Sequence, residues 1–169
     1  ELVFEQQAPR RFVFKHALIQ DIAYQSLLRS TRQRYHADIA AALERGVEGG
    51  AEGHPEIVAR HLDAAGLAVR ALPYWRRAGE RAVAQSAHQE AIAHLSRAIE
   101  TTVALPDPDD RARTELELQI AIGVPLAATL GYGAPEVRKA YARAGELCAL
   151  TGGTKQNFAT LYGVWRASL

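Results

Sequence analysis

The side chains in this 169-residue chain that could carry chemistry are six histidines, three closely spaced aspartates and one cysteine. The histidines are His16, His36, His54, His61, His88 and His94. Two metal ligands on one helix need a spacing of three or four residues to share a face. His88 and His94 are six apart, which places them on different faces. His61 falls on an apolar stripe with Val58 and Leu62, the setting of a packed core residue rather than a ligand. Asp107, Asp109 and Asp110 have the spacing of an incipient calcium loop, but no glycine turn or distal glutamate completes one. With Pro108 among them they read as a helix start. Cys148 stands alone, which excludes an intrachain disulfide and argues against a thiolate metal site. No glycine loop ends in Lys-Ser or Lys-Thr to cradle a phosphate. The residues therefore predict a segment that is not an enzyme, with no catalytic residue, no metal and no cofactor of its own.

Composition narrows the class. Apolar residues make up 48%, too many for a disordered chain. Twenty basic against nineteen acidic side chains leave a net charge of +1, a balance that does not favour a dedicated nucleic-acid binder. No apolar run approaches the roughly 20 residues of a membrane span, and there is no signal-peptide pattern, so a cytoplasmic location is expected. Methionine is absent, and the chain stops at Leu169 within a helical pattern. Both features read as a piece of a longer protein.

The elements follow from periodicity. Residues 2–4 and 11–14 are short β-prone runs around a turn at Gln6 to Pro9, predicting a small hairpin. Helices are expected at about 15–28, with Leu18, Ile22 and Leu27–Leu28 inward beside Ile19 and Ala23, and at about 31–45, with Tyr35, Ile39, Ala42 and Leu43 inward. Residues 46–54 are glycine-rich and read as a linker. A third helix opens at Pro55 and buries Ile57, Val58, His61, Leu62 and Ala65. The pattern is strongest from Leu72 to Pro106. Trp75, Ala78, Gly79 and Ala82 share one helical face; Pro73 sets the regular start near Leu72 or a kink. Ser86 and Gln89 read as a capping box opening the next helix, whose inner face is Ala91, Leu95, Ala98 and Thr102, with Ile92 and Ile99 alongside. Two such helices joined by two or three residues pack antiparallel. Beyond Asp107, Leu116, Ile120, Gly123 and Ala127 are expected inward and Pro125 is expected to bend the helix. Next comes a stripe of Val137, Ala140, Tyr141, Ala144, Leu147 and Cys148. A last helix from about Lys155 to Leu169 carries Phe158, Leu161, Tyr162 and Trp165 on one face.

Trp75, Gly79, Ala91, Leu95 and Ala98 resemble the tetratricopeptide signature, a helix-pair repeat of about 34 residues. The match departs at Ala82 and His88, where aromatics are usual, and Pro106 comes late. Gly79, Gly123 and Gly163 recur at intervals of 44 and 40 residues, each in the first helix of a pair. The expected fold is an all-α, tetratricopeptide-like solenoid of antiparallel helix pairs, with two complete pairs, a third cut after its first helix, and a small N-terminal β-hairpin. In such an array the first helices line the concave face, which makes Arg76, Glu80, Val83, Glu117, Ile120 and Val124 the candidate partner-binding residues. The uncovered stripe of 155–169 is expected to drive self-association or to fray.

A longer resemblance carries the functional expectation. FVFKHALIQDIAYQSLL, then EIVARHLDAAGL, PYWRRAGERA and GYGAPEVRKAYARAGELC, occur in the order found in bacterial STAND-type (AAA-like) signalling ATPases that often carry an adenylate or guanylate cyclase domain. The resemblance implies that residues 1–46 end a winged-helix region of the ATPase core, that 47–54 is a linker, and that 55–169 are tetratricopeptide-like repeats. It implies a protein–protein interaction or sensor arm, with ATP or ADP and Mg bound elsewhere in the parent. It also implies that His16 resembles a histidine near the ADP phosphates in related switch ATPases; a plain role in ordering a helix start is the alternative. Expected partners are a protein, a peptide or other domains of the parent, with no membrane. The runner-up is a DNA-binding winged-helix module using Arg10 and Arg11, which the small net charge disfavours.

Overall fold

In a computed structural model of the chain, residues 3–6, 11–14, 17–46 and 53–152 are described. Two short strands, β1 (Val3–Gln6) and β2 (Arg11–Phe14), pair antiparallel with Val3 opposite Phe14 and Gln6 opposite Arg11. The rest is all-α: α1 (Ala17–Ser26), α2 (Arg29–Glu44), α3 (Pro55–Ala64), α4 (Ala68–Ala84), α5 (His88–Thr101), α6 (Pro108–Leu130) and α7 (Pro135–Thr151). From α2 onward each helix packs on the next, and α4 also touches α6. No described helix is long and apolar enough to cross a membrane.

The tightest crossing is α4 against α5. Ala91, Leu95 and Ala98 are fully buried, and Trp75, Ala78 and Ala82 nearly so. Gly79 makes this approach possible, because a Cβ there would lie 2.5 Å from Leu95 Cγ. Gly123 plays the same part in α6, where a Cβ would lie 2.7 Å from Tyr141 Cζ. The predicted stripe of α7 is buried along its whole length, from Val137 to Cys148.

The helix boundaries depart from expectation at two places. Helix α4 begins at Ala68 and runs through Pro73. The carbonyl that Pro73 leaves without an amide is that of Val69, whose side chain is exposed, while buried Ala71 and Leu72 hold the first turn in place. At Ser86 the capping box does not form, and α5 starts at His88 without a side-chain cap. Ser86 has a left-handed φ of 57°, and it instead terminates α4. Its amide bonds to Val83 O and that of Ala87 to Ala82 O, the paired bonds of a Schellman turn. Gly66 ends α3 with the same two bonds, to Asp63 O and Leu62 O, at a φ of 77°. Serine pays a steric cost in this conformation that glycine does not. Ser86→Gly is therefore expected to stabilise the chain by about 0.5–1 kcal/mol, read as a raised melting temperature. Unchanged or lowered melting would mean that the turn is not left-handed at this residue.

The N-terminus of α6 is capped as the sequence predicts. Asp107 accepts from the Asp109 amide at 2.8 Å, and Pro108 takes the first helical position. Its buried face is the predicted one only in its C-terminal half, where Gly123 and Ala127 are buried. Leu118, Ile122 and Leu126 are buried, whereas Leu116 and Ile120 are only half-buried. The segment from Leu116 to Leu126 alternates apolar and other residues, so opposite sides of the helix are equally apolar and periodicity alone does not choose between them.

The inward stripes predicted for the N-terminal helices are covered only in part: Ile19, Leu27, Ala42 and Leu43 are half-buried, with Leu43 packed against the core. Ile22, Leu28, Tyr35 and Ile39 are all exposed, and Ala40 is the buried residue of α2. On α3, Ile57 lies at the surface and Ala59 is buried in its place.

Candidate functional site

Helices α2, α4 and α6 are joined in turn by polar and ionic bonds. Glu44 of α2 accepts from Arg70 at 2.7 Å and from the Tyr74 hydroxyl at 3.1 Å, both on α4. Arg76 of α4 donates to Glu117 of α6 at 2.6 Å and to Glu80 on its own helix at 2.8 Å. Those two carboxylates, Glu80 first, hold the Arg76 guanidinium above its usual pKa. Three of the six predicted partner-binding residues, Arg76, Glu80 and Glu117, thus form one network on this face. Val124, more than half exposed, and the half-buried Ile120 extend the face along α6. Val83 departs from the prediction: it is half-buried and packs against the core instead of opening to solvent. Because α2 packs on α3 and is tied to α4, the predicted linker at 47–54 falls between two packed helices. His16, the candidate nucleotide-sensing residue, and the 155–169 stripe lie outside the described residues.

Helices α3 and α5 are linked through α4's Trp75 and by a direct ion pair. Asp63 of α3 accepts from Trp75 Nε1 at 2.9 Å and from Arg97 of α5 at 2.8 Å, both on Oδ2. The His94 ring stacks on Trp75 with centroids 5.6 Å apart. Burial is the main cause of the lowered His94 pKa. Periodicity places Trp75 on the buried face, but pairing with Asp63 was not legible from spacing, because the partner lies on a different helix.

A second polar chain joins α1, α2 and α3. The Tyr24 hydroxyl meets His36 Nε2 at 2.8 Å, and His36 Nδ1 meets His61 Nδ1 at 2.8 Å. The second contact needs one imidazole to donate and the other to accept, so both rings cannot be charged in it. Burial, then the neighbouring His36 and Arg60, pull the His61 pKa down. His61 is thus half-buried and hydrogen-bonded rather than packed in the apolar core. No group of three or more His, Cys, Asp or Glu placed to hold a metal occurs among the described residues.

A concavity of about 700 Å³ lies between α5 and α7, over α6. Ile92, Ile99, Ile122 and Leu126 give it an apolar lining, with Ser96 and Gln119 among them. Glu100, Glu115, Glu136 and Glu146 stand around it against Lys139 and Arg143. Arg143 clasps Glu115 with two bonds, of 2.6 and 3.0 Å, and reaches Glu146 at 2.9 Å. The groove lies on the opposite side of α6 from Glu117, Ile120 and Val124, because a step of two residues turns a helix by about 200°. Sequence spacing marked Ile92, Ile99 and Ala140 as inward but did not join them into a groove, because the groove depends on how α5, α6 and α7 pack together.

No protein-family model matches the chain, and no solved structure matches it. An uncharacterized protein of Rhizobium meliloti (strain 1021) is 28% identical over 154 residues. The match covers 90% of this chain and 15% of the length of that relative.

Proposed function

We propose that this segment is a non-catalytic, tetratricopeptide-like scaffold that binds a protein, a peptide or another domain of a larger STAND-type signalling ATPase, through the face formed by its first helices. The observation that carries the reading is the lateral bridging of α2, α4 and α6 by Glu44, Arg70, Arg76 and Glu117. Those bonds hold α4 and α6, the first helices of the two complete pairs, next to one another and join α2 to them, the arrangement in which helix pairs present a continuous face. Its mixed lining, ionic at Arg76 and Glu80 and apolar at Val124, suits a polypeptide ligand. In this reading β1, β2, α1 and α2 close a winged-helix region, and exposed Ile22, Leu28, Tyr35 and Ile39 dock against the ATPase core. ATP or ADP with Mg would sit on parts of the intact protein outside these residues, and His16 would approach the phosphates from this side. A cytoplasmic location and a cyclase or similar output domain belong to the same proposal, as does self-association through 155–169.

The alternative is a DNA-binding module reading phosphates with Arg10 and Arg11. Isothermal titration with ATP and ADP, together with an electrophoretic shift on random duplex DNA at low salt, separates the readings. The scaffold reading expects no binding of either nucleotide or DNA by the isolated chain. Micromolar nucleotide affinity would overturn its non-catalytic character, and a salt-dependent DNA shift would favour the module.

A further inference from the structure

The chain contains the same inter-helix groove twice, once filled and once open. The first lies between α3 and α5 over α4, the second between α5 and α7 over α6. Equivalent positions in α4 and α6 are 44 residues apart, as Gly79 and Gly123 show; those in α5 and α7 are 46 apart, as Arg97–Glu100 and Arg143–Glu146 show. Those in α3 and α5 are 33 apart, matching buried Leu62 to Leu95.

In the first groove Trp75 fills the space, its indole N–H bonded to Asp63 and its ring stacked on His94. In the second, Gln119 stands at the place of Trp75, Ser96 at that of Asp63 and Ala140 at that of His94. All three replacements remove volume, and all three line the open groove. Ile122 and Leu126 stand at the places of Ala78 and Ala82 and give the open groove its apolar floor, and Ser96 keeps a hydroxyl where the indole acceptor stood.

Charge adds the second half of the argument. Four carboxylates face the groove against two cations. Arg143 is committed to Glu115 and Glu146, and the Arg97 that touches Glu100 is also held by Asp63. Counting Arg97, three cations stand against the four carboxylates, which leaves the rim one negative charge in excess around Glu100 and Glu136.

We propose that this groove binds an amphipathic helix of a partner protein that inserts a large aromatic side chain, an indole above all, between flanking lysines or arginines. The incoming ring takes the place that Trp75 takes in the preceding groove, its N–H reaches Ser96, and its basic neighbours meet Glu100 and Glu136. This site is on the opposite side of α6 from the first-helix face and stands independently of the function proposed for that face.

The test uses the 169-residue chain. The probe is a short alanine-based helical peptide with one tryptophan flanked by lysines. Controls replace the lysines by glutamate, or the tryptophan by alanine. Binding is followed by fluorescence anisotropy and by backbone amide shifts. The expected result is binding of the probe with shifts at Ser96, Ile122 and Ala140, and at least tenfold weaker binding of both controls. Gln119→Trp is expected to abolish binding while raising the melting temperature, because it fills the groove from within. Glu136→Lys, at an exposed position, is expected to weaken binding of the lysine probe without altering melting. Equal affinity for the three peptides, binding untouched by both substitutions, or no binding at all would overturn the proposal. A dimer dispersed by Gln119→Trp would overturn it in favour of a second copy of the chain.

Discussion

Leu95→Ala is expected to cost about 2–5 kcal/mol. Leu95 is fully buried and sits directly over Gly79. Removing its branched end leaves a cavity that two helices locked by close backbone contact cannot collapse into. In a chain of this size each kcal/mol shifts the melting temperature by roughly 2–4 °C, so the loss is easily read. A cost below about 1 kcal/mol would mean that the helices relax into the space, and that the crossing is looser than the Gly79 contact implies.

The second large effect reads the same crossing from the other side. Ala98→Leu or Ala91→Leu is expected to cost about 1–3 kcal/mol, because both positions are fully buried and extra carbons must force the helices apart. Glu100→Ala, on a largely exposed side chain, is expected to cost less than about 0.5 kcal/mol. Gly79→Ala sets two effects against each other. Alanine favours a helix interior over glycine by about 1 kcal/mol. Its Cβ would lie 2.5 Å from Leu95 Cγ, a branch point that cannot swing aside without moving the whole side chain. The clash wins, and the substitution is expected to destabilise. In the Leu95→Ala background the clash is gone, and Gly79→Ala is expected to become neutral or stabilising. That reversal of sign in thermal or urea unfolding is hard to obtain by any other route. Equal effects in both backgrounds would mean that Gly79 does not face Leu95.

How far the fold was legible in the sequence depended on how one-sided each helix is. In α5 and α7 small and large apolar residues recur on one face only, and Ala91, Leu95, Ala98, Val137 and Tyr141 are buried as their spacing predicts. In α6 the alternation from Leu116 to Leu126 left both faces apolar, and only packing between α5 and α7 selected Leu118, Ile122 and Leu126. Ser86 followed by Gln89 matched a capping box. In the structure the same serine ends the preceding helix, held there by the two Schellman bonds. For α1 and α2 the stripe of Ile22, Tyr35 and Ile39 was read as inward, but no described neighbour covers it.

The candidate surface was legible only in part. Arg76, Glu80 and Glu117 fell on the expected faces of their helices. Their joining into one network depends on how α4 and α6 lie beside each other, which sequence spacing within a helix does not encode. The open groove was out of reach for a related reason. Its meaning comes from comparing Gln119, Ser96 and Ala140 with Trp75, Asp63 and His94, and that correspondence requires knowing which helices flank which.

The central claim is that the face formed by the first helices is where this segment meets a polypeptide partner. It is tested most directly by placing a photo-cross-linking amino acid at Glu80, Ile120 or Val124 in the intact protein, with Val103, exposed in the turn before α6, as the control position. The account predicts cross-links from the three face positions to another domain or to a partner protein, identified by mass spectrometry, and none from Val103. Cross-links from Val103 alone, or equal yields from all four positions, would contradict it.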